Sequence, residues 1–317
     1  MALIPEIGGA LTEPPEGGRV LTPDVRDVKA VADMIRAGRC ILFLGAGVHA
    51  SPPVGSRWTY SDDERPLRGG ELATHLAAST DYAKQYPDER PRNLGRVSLY
   101  CQTHRRYGRN WLIGEVRKQV HTDKKASSVL RALTSLDFPF IATTNYDHLV
   151  EDALRVHSKA PYVTIFNPGQ FVPTPDYVGD QLDPTPEQPF LLKIHGDVDF
   201  PESIVITDED YINFMLRIRD KEPFNPIPNT FLHAFARYPT LFVGYSLLDY
   251  NLRLLFKALR WNIDRARMPP AYAVDPSPDR MIHNVYDEQE RFVHFIVTDV
   301  WSFVPMLYKE LKGSDMP

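Results

Sequence analysis

Cysteine is nearly absent from this sequence, which contains only Cys40 and Cys101 in 317 residues. Two cysteines cannot form a disulfide framework or a four-cysteine zinc site. We expect both to be buried or incidental thiols in a reducing cytoplasm. The first residues, "MALIPEIGGALTEPPEGG", have neither a basic start nor a long apolar core, so a secretory signal is not expected. The default prediction is therefore a cytoplasmic protein.

Long apolar runs and several catalytic motifs are also missing. No stretch reaches the ~18 apolar residues of a membrane-spanning helix, so no membrane association is predicted. The sequence has no H-E-x-x-H, no P-loop G-K-[ST] and no G-x-S-x-G, and its histidines show no metal-ligand spacing. These absences argue against metal-dependent hydrolysis, ATP hydrolysis and esterase chemistry, and no metal is expected. The formal net charge of -5 gives no support for direct binding of nucleic acid.

Apolar runs of strand length alternate with helical patterns along most of the chain. The apolar runs are "CILFLGAG", "FPFIATT", "PYVTIF", "FLLKIHG", "TLFVGYS", "AYAV" and "FVHFIV". Strands that are apolar on both faces and alternate with helices indicate an α/β protein. The predicted fold is Rossmann-like, with a mostly parallel sheet covered by helices on both faces.

The domain organisation follows from where this alternation stops. Residues 1–20 resemble an N-terminal arm, and residues 21–317 are predicted to form one domain. Within it, residues 49–123 contain helical patterns such as "GGELATHLAAST" and no convincing strand. We therefore predict a helical insertion that covers one edge of the sheet.

Four of the apolar runs end in glycine or polar residues: GAG, TTNYD, KIHGD and GYSLLD. Ligands of open parallel sheets bind beyond the carboxyl ends of the strands, so these residues are predicted to converge on one rim. Glycines in Gly45-Ala46-Gly47 would let the backbone approach a pyrophosphate; a tight turn that binds nothing is the alternative. A dehydrogenase is disfavoured, because a loop, "SPPVGSRWTYSDDERP", stands where a second strand ending in an acid would follow.

The other strand ends offer candidate side chains, each with a structural alternative. His195 could act as a general base, since an unperturbed imidazole titrates near pH ~6.5, although most histidines are only structural hydrogen-bonding groups. Gly244, Ser246 and Asp249 could face a ribose or adenine. Ser246 or Asp249 could instead be the N-cap of the helix predicted to follow.

Taken in order, "FLGAG", "TTNYD", "KIHGD" and "VGYSLLDYNLR" resemble the sirtuin-like NAD-consuming domains of bacterial antiphage defence. The resemblance spans about residues 40 to 260. Asn145 and Asp147 match the T-x-N-x-D element of that family, and His195 matches its strand-end histidine. His49 stands where the protein-deacetylating sirtuins carry a serine, and two cysteines cannot build their zinc ribbon. Deacylation is therefore the least favoured activity.

The resemblance implies that NAD binds as a substrate and is cleaved to nicotinamide and ADP-ribose, so that an activated NAD glycohydrolase depletes NAD in an abortive response to infection. Asn145 is expected to hold a water and the ribose, and His195 to accept a proton. Asp147 would bind the nicotinamide carboxamide, fix the loop or cap a helix that begins near Tyr146. The predicted nucleotide-binding residues are Gly45, Ala46, Gly47, Thr144, Gly244, Ser246 and Asp249.

Two other functions remain open at this stage: a non-catalytic sensor that binds NAD or ADP-ribose and controls a partner, and a protein ADP-ribosyltransferase. The resemblance also implies a homo-oligomer. It further implies a companion defence protein in some systems, either a HerA-type ATPase or an Argonaute-like protein.

Overall fold

In the part of the chain that the structure describes, seven parallel strands form a single sheet. A computed structural model of the chain describes residues 22–166, 183–217, 227–245, 267–289 and 293–317, and all structural statements concern these residues. The strands are β1 (Ile41–Leu44), β2 (Phe140–Thr143), β3 (Tyr162–Ile165), β4 (Phe190–Lys193), β5 (Thr240–Val243), β6 (Ala271–Val274) and β7 (His294–Ile296). Their order across the sheet is β3-β4-β2-β1-β5-β6-β7. From central β1 the chain first builds one side of the sheet and then the other, as in a Rossmann-like fold. The predicted fold class is confirmed.

Helices pack on both faces of this sheet. The described helices are α1 (Val25–Arg36), α2 (Gly69–Ala78), α3 (Tyr82–Gln85), α4 (Leu94–Thr103), α5 (Gly108–Val120), α6 (Ser128–Ser135), α7 (Leu149–Val156), α8 (Asp208–Arg217), α9 (Asn229–Arg237), α10 (Arg280–His283, followed by a π-helical turn, Asn284–Gln289) and α11 (Val300–Lys312). Helices α1, α6, α7 and α11 share a hydrophobic core with one face of the sheet. Helices α8, α9 and α10 contribute to the core on the other face.

The short central strands show why the fold requires continuous apolar runs. Leu42 and Leu44 of β1 pack into one core, and Ile41 and Phe43 pack into the other. Side chains of a strand alternate between the two faces of a sheet, so a strand covered on both sides needs an apolar residue at every position.

Helices α2 to α5 lie between β1 and β2 along the chain and are called the insertion below. They share a separate hydrophobic cluster, which also contains Tyr146 from the loop after β2 and Val198 and Ile204 from the loop after β4. Two arginines of α5 reinforce this contact: Arg109 donates to the Ile204 carbonyl at 2.6 Å, and Arg117 donates to the Val198 carbonyl at 3.1 Å. The insertion therefore packs against loops at the carboxyl ends of the strands.

Some predictions differ from the structure or lie outside the part described. The helix expected to begin near Tyr146 begins at Leu149, and α8 was not predicted. The proposed arm (residues 1–20) and the helical pattern after Asp249 lie outside the described residues. Cys40 and Cys101 are free and buried as predicted, and burial raises their pKa values to about 12 and about 11. In the ranges described, every helix is too short or too polar to cross a bilayer.

Candidate functional site

The register of the sheet brings the four predicted strand ends to one edge. Thr143 of β2 is paired with Leu44 of β1 and with Lys193 of β4, and Leu44 is also paired with Val243 of β5. Neighbouring strands are about 4.8 Å apart. Asn145 and His195 are each two residues beyond a paired position, Thr143 on β2 and Lys193 on β4. They therefore lie at the same distance beyond the ends of two adjacent strands.

Asn145 lies in a buried polar group with His49 and Asp147. The side-chain Nδ2 of Asn145 is 3.4 Å from His49 Nε2, and the same histidine nitrogen is 3.9 Å from Asp147 Oδ2. The exposed fractions of Asn145, His49 and Asp147 are 6%, 1% and 3%. The backbone N–H of Asn145 also donates to Thr143 Oγ1 at 3.0 Å, which fixes the turn after β2.

Asp147 has a structural role that the sequence left as one of its alternatives. Its Oδ1 accepts a hydrogen bond from the backbone N–H of Leu149 at 2.9 Å, at the first residue of α7. This bond satisfies one of the donors that a helix leaves unpaired at its N-terminus. The second oxygen is the one that lies nearest His49.

His195 has an exposed fraction of 9% and lies against aromatic rings. The rings of Tyr211 and Phe214 meet it edge to face at centroid distances of 5.2 Å and 5.3 Å. Burial lowers the pKa of His195 to about 3. The imidazole is therefore neutral at pH 7 and keeps a lone pair that can accept a hydrogen bond.

The glycines of the loop after β1 are required by packing against the loop after β5. A Cβ atom on Gly45 would lie 2.6 Å from the Gly244 carbonyl oxygen, and one on Gly47 would lie 2.7 Å from it. Gly244 itself has a φ of +76°, and a Cβ there would lie 2.2 Å from the Val48 nitrogen. The Gly47 N–H donates to the Gly244 carbonyl at 2.8 Å. These contacts explain the glycines without a ligand, and Ala46 to His49 form only a single 3₁₀ turn.

Thr144 connects three of the strand ends. Its backbone N–H donates to the Leu44 carbonyl at 3.3 Å, and its side-chain oxygen accepts from the Tyr245 hydroxyl at 2.7 Å. The structure thus brings together Gly45, Ala46, Gly47, Thr144, Asn145, Asp147, His195 and Gly244. Ser246 and Asp249 lie outside the described residues.

A buried lysine beneath this rim was missed by the sequence analysis. Lys193 at the end of β4 is fully buried. Its Nζ donates to Asp197 Oδ2 at 2.5 Å, to Glu151 Oε1 at 3.1 Å and to the Asp147 carbonyl at 2.5 Å. The signal was present in "FLLKIHG", where a charged residue interrupts an apolar strand. Lys193 joins the loop after β2, helix α7 and the loop after β4.

His148, Asp197 and Asp199 have donor atoms within 4.8 Å of one another, which is a spacing that a metal ion can use. Both carboxylates already have cationic partners, since Lys193 contacts Asp197 at 2.5 Å and Arg117 contacts Asp199 at 2.6 Å. The Asp197 hydrogen bond raises the pKa of His148, which favours the imidazolium over a metal-binding lone pair. The group is best described as an ion-pair network.

The family model of the SIR2-like domain matches residues 139–295. This match agrees with the class of protein to which the parallel sheet and the strand-end residues already pointed.

Its relatives include the protein named defense-associated sirtuin 2 from Bacillus subtilis, which is 24% identical over 258 residues, 80% of this chain and 22% of that protein. The protein named NAD(+) hydrolase ThsA from Enterococcus faecium is 26% identical over 247 residues, 78% of this chain and 45% of that protein. The protein named NAD(+) hydrolase ThsA from Bacillus cereus is 28% identical over 125 residues, 39% of this chain and 22% of that protein. The chain thus matches less than half the length of each of these relatives.

Proposed function

We propose that this protein is an NAD glycohydrolase, which cleaves NAD to nicotinamide and ADP-ribose and depletes NAD as an antiphage effector. The observation that carries the proposal is the placement of Asn145 and His195, which leave adjacent strands at the same level with buried and uncharged side chains. The names of the relatives support NAD as the substrate and defence as the setting.

The reaction needs little acid–base assistance. The bond between the ribose anomeric carbon and the pyridinium nitrogen breaks with its electron pair going to the ring, so nicotinamide leaves as a neutral molecule. A general acid is therefore unnecessary, unlike in ordinary glycoside hydrolysis. The oxygen of a water molecule then bonds to the anomeric carbon of the oxocarbenium-like sugar, and one proton of that water is released.

Each residue of the rim has a role in this scheme. The carboxamide of Asn145 orients the water and a ribose hydroxyl, which converts a random encounter into a reaction at fixed geometry. The neutral His195 accepts the released proton, directly or through a ribose hydroxyl. The buried carboxylate of Asp147 supplies negative charge near a transition state that becomes positive at the sugar.

Release of nicotinamide by the purified full chain, measured by chromatography, tests the proposal. Asn145→Ala and His195→Ala should each abolish release and leave the thermal unfolding transition in place. Exposed residues of the same types provide matched controls, Asn110→Ala on α5 and His157→Ala after α7, and both should keep full activity. Full activity in the two rim variants would refute the assignment.

The same experiment separates the alternatives. A sensor would bind NAD or ADP-ribose in calorimetry and release no nicotinamide. An ADP-ribosyltransferase would release nicotinamide and transfer the ADP-ribose to protein, so that free ADP-ribose would not accumulate. The homo-oligomer and the companion protein, a HerA-type ATPase or an Argonaute-like protein, stay predictions from the resemblance.

A further inference from the structure

His49 contacts Asn145 directly and has no assigned role. It lies in the 3₁₀ turn after β1, and its ring is 1% exposed. One ring nitrogen, Nε2, is 3.4 Å from Asn145 Nδ2. The other, Nδ1, is 3.4 Å from the hydroxyl oxygen of Tyr60. The ring therefore bridges the proposed catalytic carboxamide and a tyrosine of the following loop.

The hydrogen bond of Tyr60 to Lys125 determines which atoms donate and which accept along the series Tyr60, His49 and Asn145. The Tyr60 hydroxyl donates its only proton to the Lys125 carbonyl at 2.7 Å, and burial raises the pKa of Tyr60 so that the proton is retained at pH 7. Toward His49, Tyr60 therefore presents only lone pairs. A second lone pair on Nδ1 would repel them, so Nδ1 must bear a proton.

The protonation state of His49 fixes the next contact. Burial is the main cause that lowers its pKa, the nearby charge of Arg65 acts in the same direction, and Asp147 opposes both. A neutral imidazole protonated at Nδ1 has a bare Nε2. Nε2 can then only accept a hydrogen bond, and the donor it meets is the amide N–H of Asn145.

We propose that His49 is a positioning residue, held by Tyr60 as the Nδ1–H tautomer, which accepts from Asn145 Nδ2–H and so turns Asn145 Oδ1 toward the substrate. The opposite tautomer would place a donor against Asn145 and favour the flipped carboxamide. Only the carbonyl oxygen can accept a hydrogen bond from a water or a ribose hydroxyl, so a flip would remove the group that orients them. The kinetic consequence of this inference rests on the proposed function, whereas the tautomer rests on the contacts and the burial of His49.

The tautomer can be measured without any activity. Nitrogen-15 imidazole spectra at pH 7 distinguish the two ring nitrogens, and His49→Gln removes one ring from the ten histidines and so assigns it. We expect His49 with a protonated Nδ1 and a bare Nε2, and a shift toward the other tautomer in Tyr60→Phe. A proton on Nε2, or an imidazolium, in the unaltered protein would overturn the proposal.

Kinetics of nicotinamide release test the positioning role. Tyr60→Phe should lower kcat about tenfold and His49→Leu about 100-fold, with KM changed less than about threefold, because the loss is one of orientation. His49→Gln places an amide oxygen close to the position of Nε2 and should keep kcat within about threefold of the unaltered protein. Tyr162→Phe, at the amino end of β3, is the matched control and should behave as the unaltered protein.

An unchanged kcat in Tyr60→Phe would overturn the positioning role, and so would a loss that falls on KM alone. Equal losses in His49→Gln and His49→Leu would do the same, because a merely structural role does not distinguish an acceptor from a methyl group. Absence of nicotinamide release from the unaltered protein would refute the proposed function instead, and the imidazole spectrum would still decide the hydrogen-bond order.

Discussion

Replacement of the buried Lys193 by methionine should strongly destabilise the protein. Lys193 is fully buried, and its partners Glu151 and Asp197 are 4% and 3% exposed. Methionine has a similar length and no charge, so Lys193→Met preserves the packing and removes the cation. Two carboxylates would then remain in a low-dielectric environment without their positive partner.

The magnitude follows from the contacts that are lost. Removal of one partner from a buried ion pair costs about 3–5 kcal/mol, and His148 still donates to Asp197 at 2.9 Å, so the lower half of that range is expected. Unfolding free energies of domains are about 5–15 kcal/mol. The substitution would therefore remove a large share of the total stability.

Urea unfolding at pH 7, followed by circular dichroism, measures the change. Lys309→Met, which breaks an exposed ion pair with Asp315, is the matched control and should have little effect. The double variant Lys193→Met/Glu151→Gln should recover part of the loss, because it neutralises one of the stranded carboxylates. A Lys193→Met protein as stable as the control would refute the view that this network holds α7 and the loop after β4 together.

Three further outcomes are expected. Gly244→Ala should destabilise the protein by about 2 kcal/mol or more, since it adds backbone strain and a clash. Gly38 is also at positive φ but has open space around it, so Gly38→Ala should cost only about 1 kcal/mol. Thermal unfolding of the two variants measures the difference. The free energy of unfolding should fall as the pH falls from about 6.5 toward about 3, because the unfolded chain then binds a proton that the buried His195 imidazole excludes. The contribution of His195 is at most about 1.4 kcal/mol per pH unit. His195→Gln should flatten this slope, and a slope as steep as before would contradict the lowered pKa of His195. Arg109→Leu should loosen the insertion, because it removes a 2.6 Å ion pair with Asp210; limited proteolysis should then cleave the insertion first, and an unchanged digestion pattern would argue against that role.

The positions of the strands along the chain were predictable because each strand has a local signal in the sequence. A strand buried on both faces needs a nearly unbroken apolar run, and the runs around Leu42 and Ile141 met that requirement. The order of the strands was not predictable in the same way. β4 lies between β2 and β3, and no local pattern in "PYVTIF" or "FLLKIHG" specifies which strand takes the outer place.

The site was predictable only at the level of strand ends. Polar residues after apolar runs identified Asn145, Asp147 and His195 as neighbours on one rim. The partners of Asn145 could not be read from the sequence, because His49 lies in the turn after a different strand and is itself contacted by Tyr60 from the loop that follows. The glycines at positions 45 and 47 suggested a ligand, and the structure shows a nearer cause in the close approach of Gly244.

The central position of β1 has a practical consequence for anyone who trims this chain for expression. The segment that matches the SIR2-like domain model begins at residue 139, about one hundred residues after β1. A fragment with those limits would lack the strand that separates β2 from β5, and would leave two neighbouring strand edges without hydrogen-bond partners, an arrangement that invites aggregation. It would also lack the turn that contains His49. Workable boundaries therefore have to include α1 and β1, although the segment matched by the domain model begins downstream of both.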